Sequence, residues 1–398
     1  MNSSVGVAMV TNGPDRRQHY WDVTRAFLML LGLPYHVAML YHPGGWIVAV
    51  DQESTWLGWI AAFIHLFRMP AFFVVAGYFA ALLLARRPAG AWIGSRIFRL
   101  GIPLLTSLVF LVPVLNMLGE LSGRGVHAAF QEWRYQTATS GGYWVRHLWF
   151  LIVLLYLSML SAGVVALFPA VARWRLAGGW DARLARWLPV ALLGIGAAIG
   201  LFEGIAIELF YKAGLNTNLI QEILRLDDLI GFAPYFLFGA FLQRSPRLTE
   251  AFGRPSPTMI AATLGLVAAG IFYADRAWPP VGRFIVALAA IALTQVVISI
   301  ARALFDRPSR IVERLVAGSF VIYLFHLPIL IAIYDVVKRA GLAPGIGFTV
   351  NLALTFAFSW GVWRLVERTP ALNLLFNGIA PAAPAPRRRA AEPESRAC

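Results

Sequence analysis

Tyr20 to Tyr41 reads YWDVTRAFLMLLGLPYHVAMLY, and this stretch decides how the rest of the chain is read. It is apolar enough to enter a bilayer, yet it carries Asp22, Arg25 and His36. Ionisable groups at membrane depth cost several kcal/mol and mark functional positions. Arg25 and His36 are eleven positions apart, close to three helical turns, so they share one face and are separated by roughly 16 Å of depth. That is the pattern of a helix lining a cavity that reaches from one membrane surface far into the bilayer. Pro34 lacks an N–H and leaves the Leu30 carbonyl without its helical partner, so a kink is expected just before His36. Asp22 lies one turn before Arg25, placed to cap the helix or to pair with Arg25. The structural alternative is a snorkelling arginine and a histidine satisfied by a neighbouring helix.

The whole chain has the same character. Of 398 residues, 59% are hydrophobic and 14% charged, with a mean hydropathy of +0.67. A soluble domain carries nearer a quarter charged residues. The net charge of +14 is almost all arginine. In a polytopic membrane protein such an excess belongs to cytoplasmic loops rather than to nucleic acid. The expected fold is all-α, with about ten transmembrane helices at 23–42, 56–85, 98–118, 145–169, 187–207, 229–243, 257–274, 281–300, 315–336 and 346–366. With the N-terminus inside, 23 Lys and Arg fall on cytoplasmic segments and 9 on the opposite side. This bias predicts that both termini are cytoplasmic. Residues 1–22 read as a cytoplasmic lead-in, 23–376 as one membrane domain, and 377–398 as a disordered cytoplasmic tail rich in Pro, Ala and Arg. No cleavable signal peptide is expected. The single cysteine, Cys398, permits no intramolecular disulfide.

Other polar groups lie inside the predicted spans. In FIHLFRMPAFFVVAGY (63–78), His65 and Arg68 are one turn apart. Counted inward from Trp56, Arg68 lies roughly 18–20 Å deep, the level expected for Arg25. Two buried arginines need anions, and few acidic side chains are available in the spans, which favours a phosphate or carboxylate ligand. WVRHLWFLIVLLY (144–156) puts His147 and Trp149 at the outer end of the fourth span. GSFVIYLFHLPIL (318–330) carries Ser319, Tyr323 and His326 at spacings of four and three, on one face. The expected site is thus two low arginines, Arg25 and Arg68, beneath three high histidines, His36, His147 and His326. Zinc ligation by the histidines has no local motif behind it, and no metal is expected. A proton-coupled transporter or flippase is the reading from a different class, although the inverted repeat many transporters show is not seen.

These residues resemble the acyltransferase-3 superfamily of ten-helix membrane O-acyltransferases. Arg25, ten intervening residues and His36 look like its signature. FRMPAFFVVAGYF (67–79), RHLWFL (146–151) and SFVIYLFHLP (319–328) are similar to its further motifs. Within the superfamily, RQHYWDVTRAFLMLLGLPYH (17–36), FIHLFRM (63–69) and HLWFL (147–151) look closest to members that succinylate osmoregulated periplasmic glucans. The resemblance covers about Gln18 to Phe376. It implies an enzyme of the bacterial inner membrane with acyl-CoA, here succinyl-CoA, as co-substrate and no bound cofactor. Arg25, Arg68 and Asp22 would contact the donor, and Arg25 would be catalytic together with His36. His36 would act as general base on a sugar hydroxyl of a periplasmic β-glucan, with an acyl-histidine intermediate as a variant. His147, Trp149, Ser319, Tyr323, His326 and His65 would position the acceptor or stabilise the oxyanion. The implied partners are membrane lipid, acyl-CoA and glucan, with a homo-oligomer left open and nucleic acid excluded. O-Acetylation of another exported glycan or lipid-linked sugar is the alternative within the family.

Overall fold

The computed structural model describes residues 19–48, 52–215 and 219–380. Most of the N-terminal lead-in and of the Pro/Ala/Arg-rich tail, with Cys398, lies outside them. The described residues form helices and connecting turns, with no strand among them. In chain order the first helices are α1 (His19–Leu30), α2 (Gly32–Met39), α3 (Thr55–Leu84) and α4 (Ala89–Arg96). A π-helical turn then leads into α5 (Ile102–Leu121), followed by α6 (Val126–Thr139) and α7 (Gly141–Val145). The turn Arg146–Leu148 joins α7 to α8 (Trp149–Leu167). Next come α9 (Pro169–Arg173), α10 (Gly178–Arg186), α11 (Leu188–Lys212), α12 (Leu219–Leu224), α13 (Leu226–Gln243) and α14 (Pro246–Phe252). The chain closes with α15 (Pro257–Tyr273), α16 (Pro279–Phe305), α17 (Arg310–Arg339), α18 (Pro344–Arg368) and α19 (Pro370–Asn377).

All ten segments expected to be helical are helical. By length and apolarity alone, seven helical segments among the described residues are able to cross a membrane, or eight if α14 and α15, bent by 74°, count as one. Two expected spans fall outside even the larger number, for visible reasons. The first is divided at Leu31 into α1 and α2, three residues before Pro34, as the missing proline N–H dictates. The sixth, α13, is 18 residues long and begins with Asp227 and Asp228.

α3 is the axis of the molecule. It is one continuous 30-residue helix despite Pro70, and most of its central residues are buried. It packs on α13 closely enough for backbones to touch. A Cβ on Gly77 would fall on the Phe236 carbonyl, and one on Gly239 would fall on the Val74 carbonyl. Small residues permit such approach between membrane helices. α1, α15 and α16 pack around the same axis, α17 packs on α1, and α2 lies between α3 and α18. The many exposed Leu, Phe, Val and Ile side chains of α5, α8, α11 and α18 face outward, as a lipid environment requires.

Candidate functional site

At one end of the bundle a cavity of about 640 Å³ opens between α2, α3, α5, α6, α7, α8 and α17. His36, His65, Arg68, His147, Trp149 and Tyr323 line it. His36 stands on α2, two residues beyond Pro34. Gly44 and Gly45, at φ +93° and +77°, turn the following chain back. L side chains rarely adopt that region. The return stacks Trp46 on the His36 ring, 5.0 Å between centroids and 14° between planes. The His36 ring also lies 5.3 Å from that of His326, which lies 5.5 Å from that of His147. Three histidines far apart in sequence therefore meet, and each is at most 8% exposed.

Hydrogen bonds fix part of this cluster. His326 Nδ1 lies 2.6 Å from the Tyr323 carbonyl oxygen. A carbonyl only accepts, so Nδ1 carries the proton and, in the neutral ring, Nε2 keeps its lone pair. That Nε2 is buried without a partner, as are His36 Nδ1 and both ring nitrogens of His147. The Tyr323 hydroxyl donates to the His147 carbonyl, tying α17 to the turn before α8. Phe150 packs edge-on against Tyr323 at 4.7 Å. No group of three His, Cys, Asp or Glu among the described residues has a metal-holding arrangement.

Arg68 joins the histidines. Its guanidinium lies over the Tyr35 ring at 4.9 Å. Its Nε is buried without a hydrogen-bond partner, and no carboxylate among the described residues lies within ion-pair distance of it. A Cβ on Gly32 would sit 2.8 Å from Arg68 Nη1 and 3.8 Å from His326 Nε2. The missing side chain at the α1–α2 break thus makes room for the guanidinium beside the imidazoles.

Arg25 is not brought to this cavity, nor is Asp22. Arg25 pairs with Asp22 at 3.5 Å and lies over Phe79 at 5.4 Å. Phe79 is eleven residues along α3 from Arg68, roughly 16 Å away along the axis. The expected pairing of two low arginines around one ligand is therefore replaced by one arginine at each end. Counting turns locates the Cα of Arg68, whereas its long side chain extends to the level of Gly32. Ser319 shares the Tyr323 face of α17 but turns inward, donating to the Val316 carbonyl at 3.0 Å and touching Met29 Sδ at 3.8 Å. His65 lines the cavity and stacks on Tyr35, 5.7 Å between centroids.

The outer wall was missed by sequence reasoning. Trp46, Glu120, Arg124, Glu132, Gln136 and Tyr143 line it. They come from a loop, the end of α5, α6 and α7, segments read as connections between spans. Glu120 pairs with Arg124 and accepts from the Tyr143 hydroxyl at 3.2 Å. Glu132 accepts from Gln136 Nε2 at 2.8 Å. The one available signal was the density of Glu, Gln, Trp and Tyr between residues 120 and 144, unusual for a short connection. The arrangement as a whole can accept a proton, stabilise a negative charge beside the acceptor group, and hold a polar ligand at the mouth.

A cluster of buried imidazoles beside a free guanidinium, reached through a polar mouth within an apolar bundle, suits group transfer to a hydroxyl. The chain belongs to a family of acyltransferases: residues 18–364 match the family model described as an acyltransferase domain. It is similar to glucans biosynthesis protein C of Salmonella gallinarum, 29% identical over 381 residues that cover 92% of this chain and 96% of the relative. The proteins of the same name from Salmonella typhi and Salmonella typhimurium match to the same extent. No solved structure matches the chain.

Proposed function

We propose that the chain is an inner-membrane O-acyltransferase that moves a succinyl group from cytoplasmic succinyl-CoA to hydroxyls of periplasmic osmoregulated β-glucans. This reading takes ten spans, with both termini cytoplasmic and the polar mouth toward the periplasm. The observation that carries it is the meeting of His36, His147 and Arg68 in one cavity, with the His326 ring packed against both imidazoles. The similarity to glucan biosynthesis proteins supports the acceptor.

In this reaction the sugar hydroxyl oxygen attacks the thioester carbonyl carbon. A C–O ester bond forms as the C–S bond breaks. The hydroxyl proton passes to neutral His36, and the departing sulfur takes a proton back from the imidazolium, releasing CoA as the thiol. A positioned base of this kind contributes about 10²–10⁴-fold. Arg68 meets the oxyanion with a fixed charge in a dry site. The His326 ring backs those of His36 and His147, and His147, Tyr323, Trp149 and His65 shape the pocket. Arg25 and Asp22, at the far end of α1, serve the donor where it enters, outside the cavity.

Mass spectrometry of periplasmic glucans tests this, in cells lacking the gene and complemented with wild type or His36→Ala. Wild type is expected to add succinyl groups, and His36→Ala to reduce them at least about 100-fold at equal membrane levels. Glucans left unsubstituted by wild type would end the succinyl-glucan reading. Acyl-CoA-dependent release of free CoA by membranes separates an enzyme from a transporter or flippase.

A further inference from the structure

Arg146 is held in an unusual way. It is one of two non-glycine residues at positive φ among the described residues, with φ 47° and ψ −130°. Such conformations persist only where the surroundings impose them. Here the constraint is Asn116, buried on α5. Asn116 Oδ1 accepts from Arg146 Nε at 2.6 Å, and Asn116 Nδ2 donates to the Tyr143 carbonyl at 2.8 Å. The Arg146 guanidinium lies over the Tyr143 ring at 4.4 Å. One side chain thus clamps both sides of the turn and sets the guanidinium against the cavity.

No carboxylate among the described residues lies within ion-pair distance of Arg146. Its acidic neighbour Glu120 is engaged by Arg124 and by Tyr143. A second cation, Arg68, stands in the same cavity, buried and also without a carboxylate. A third source of positive potential is α8, a 19-residue helix beginning at Trp149 with no side-chain cap at its N-terminus. Its first residues, Trp149 and Phe150, line the cavity. Helix N-termini attract anions. Two guanidinium groups without an ion-paired carboxylate and a helix terminus thus line one space, in which the carboxylates Glu120 and Glu132 are held by Arg124, Tyr143 and Gln136. A neutral acyl chain such as acetyl leaves one of those cations unused. An acyl chain ending in a carboxylate uses both, its carbonyl toward Arg68 beside the histidines and its terminus toward Arg146.

Resting on the acyltransferase reading, we propose that Arg146, clamped by Asn116, selects acyl donors whose chain ends in a carboxylate. The planar fork of arginine suits that group better than a lysine point charge.

The test compares CoA release from succinyl-CoA and from butyryl-CoA, which has the same chain length without the charge. It uses membranes holding the full chain, with glucan as acceptor. Wild type is expected to prefer succinyl-CoA in kcat/KM by roughly 10- to 100-fold. Arg146→Gln collapses that ratio toward one, and Arg146→Lys restores part of it. A turn that merely holds the fold would lower both donors alike and leave the ratio where it was, which would overturn the proposal. So would a wild type that prefers butyryl-CoA. Release of CoA from neither donor by wild type would instead overturn the acyltransferase reading, and this proposal with it. Lys at 146 keeps the charge on a single donor nitrogen, so it reports on selectivity even if the Gln variant fails to reach the membrane.

Discussion

Arg68 shows what a single side chain decides in this molecule. It is buried, lies over Tyr35, and occupies space that any side chain on residue 32 would invade. Gly32→Ala puts a methyl 2.8 Å from Nη1, and the end of a flexible arginine moves to accommodate it. Misplacement of a catalytic charge by about 1 Å costs on the order of 100-fold in rate. The expected outcome is a loss of acyl transfer of roughly 10- to 100-fold. Thermal stability should change by less than about 1 kcal/mol. Activity and melting of the purified variant check this, and wild-type turnover would show that the exact seat of Arg68 does not matter. His326 illustrates the same scale through hydrogen bonding: one bond to a carbonyl sets which ring nitrogen can accept.

Between elements, the decisive contact is the one between α3 and α13. Gly77 and Gly239 face the opposite backbones, and neither has room for a Cβ. Gly239→Val drives a branched side chain into the Val74 carbonyl. Overpacking of this kind costs typically 1–3 kcal/mol or more, so this variant is expected to lower the melting temperature clearly. Gly265→Ala on α15, where nothing lies within 4 Å, serves as the harmless comparison. Equal melting of the two would mean that the helices separate freely. The α1–α2 break belongs to this scale as well. Pro34 interrupts the helix, and the displaced segment carries Tyr35 and His36 toward α3 and α17, where their partners lie.

For the whole molecule the open question is which way the cavity faces. The charge bias of the loops predicts that the end bearing Glu120, Glu132 and Gln136 lies outside. The chain has one cysteine, Cys398, so a Cys398→Ser background carries no competing thiol. In that background, Gln136→Cys is expected to react with a membrane-impermeant maleimide added from the periplasmic side. Labelling only after the inner membrane is broken would reverse the orientation and with it the route of the acceptor. The division of arginines fits a two-sided enzyme: Arg25 at one end with Asp22, Arg68 and Arg146 in the cavity at the other.

Much of this was legible before any fold was known. The apolar runs between arginine-rich loops marked the helices, because a bilayer forces backbone polar groups into helical pairing. Pro34 announced the break in the first span, and the cost of burying charge singled out His36, Arg68, His147, Tyr323 and His326. What one-dimensional spacing records is the height and face of a Cα on its own helix. It carries no information on where a long side chain ends, so Arg68 was grouped with Arg25 although its guanidinium lies among the histidines. Nor does it tell which of several like faces meet, so Ser319 was placed in the site although it turns toward Met29. The outer wall from Glu120 to Arg146 lacked apolar periodicity and read as a loop. Only the packing of α5, α6, α7 and α8 made it a wall, because Asn116, Tyr143 and Arg146 are tied to one another across elements, which spacing along the chain does not record.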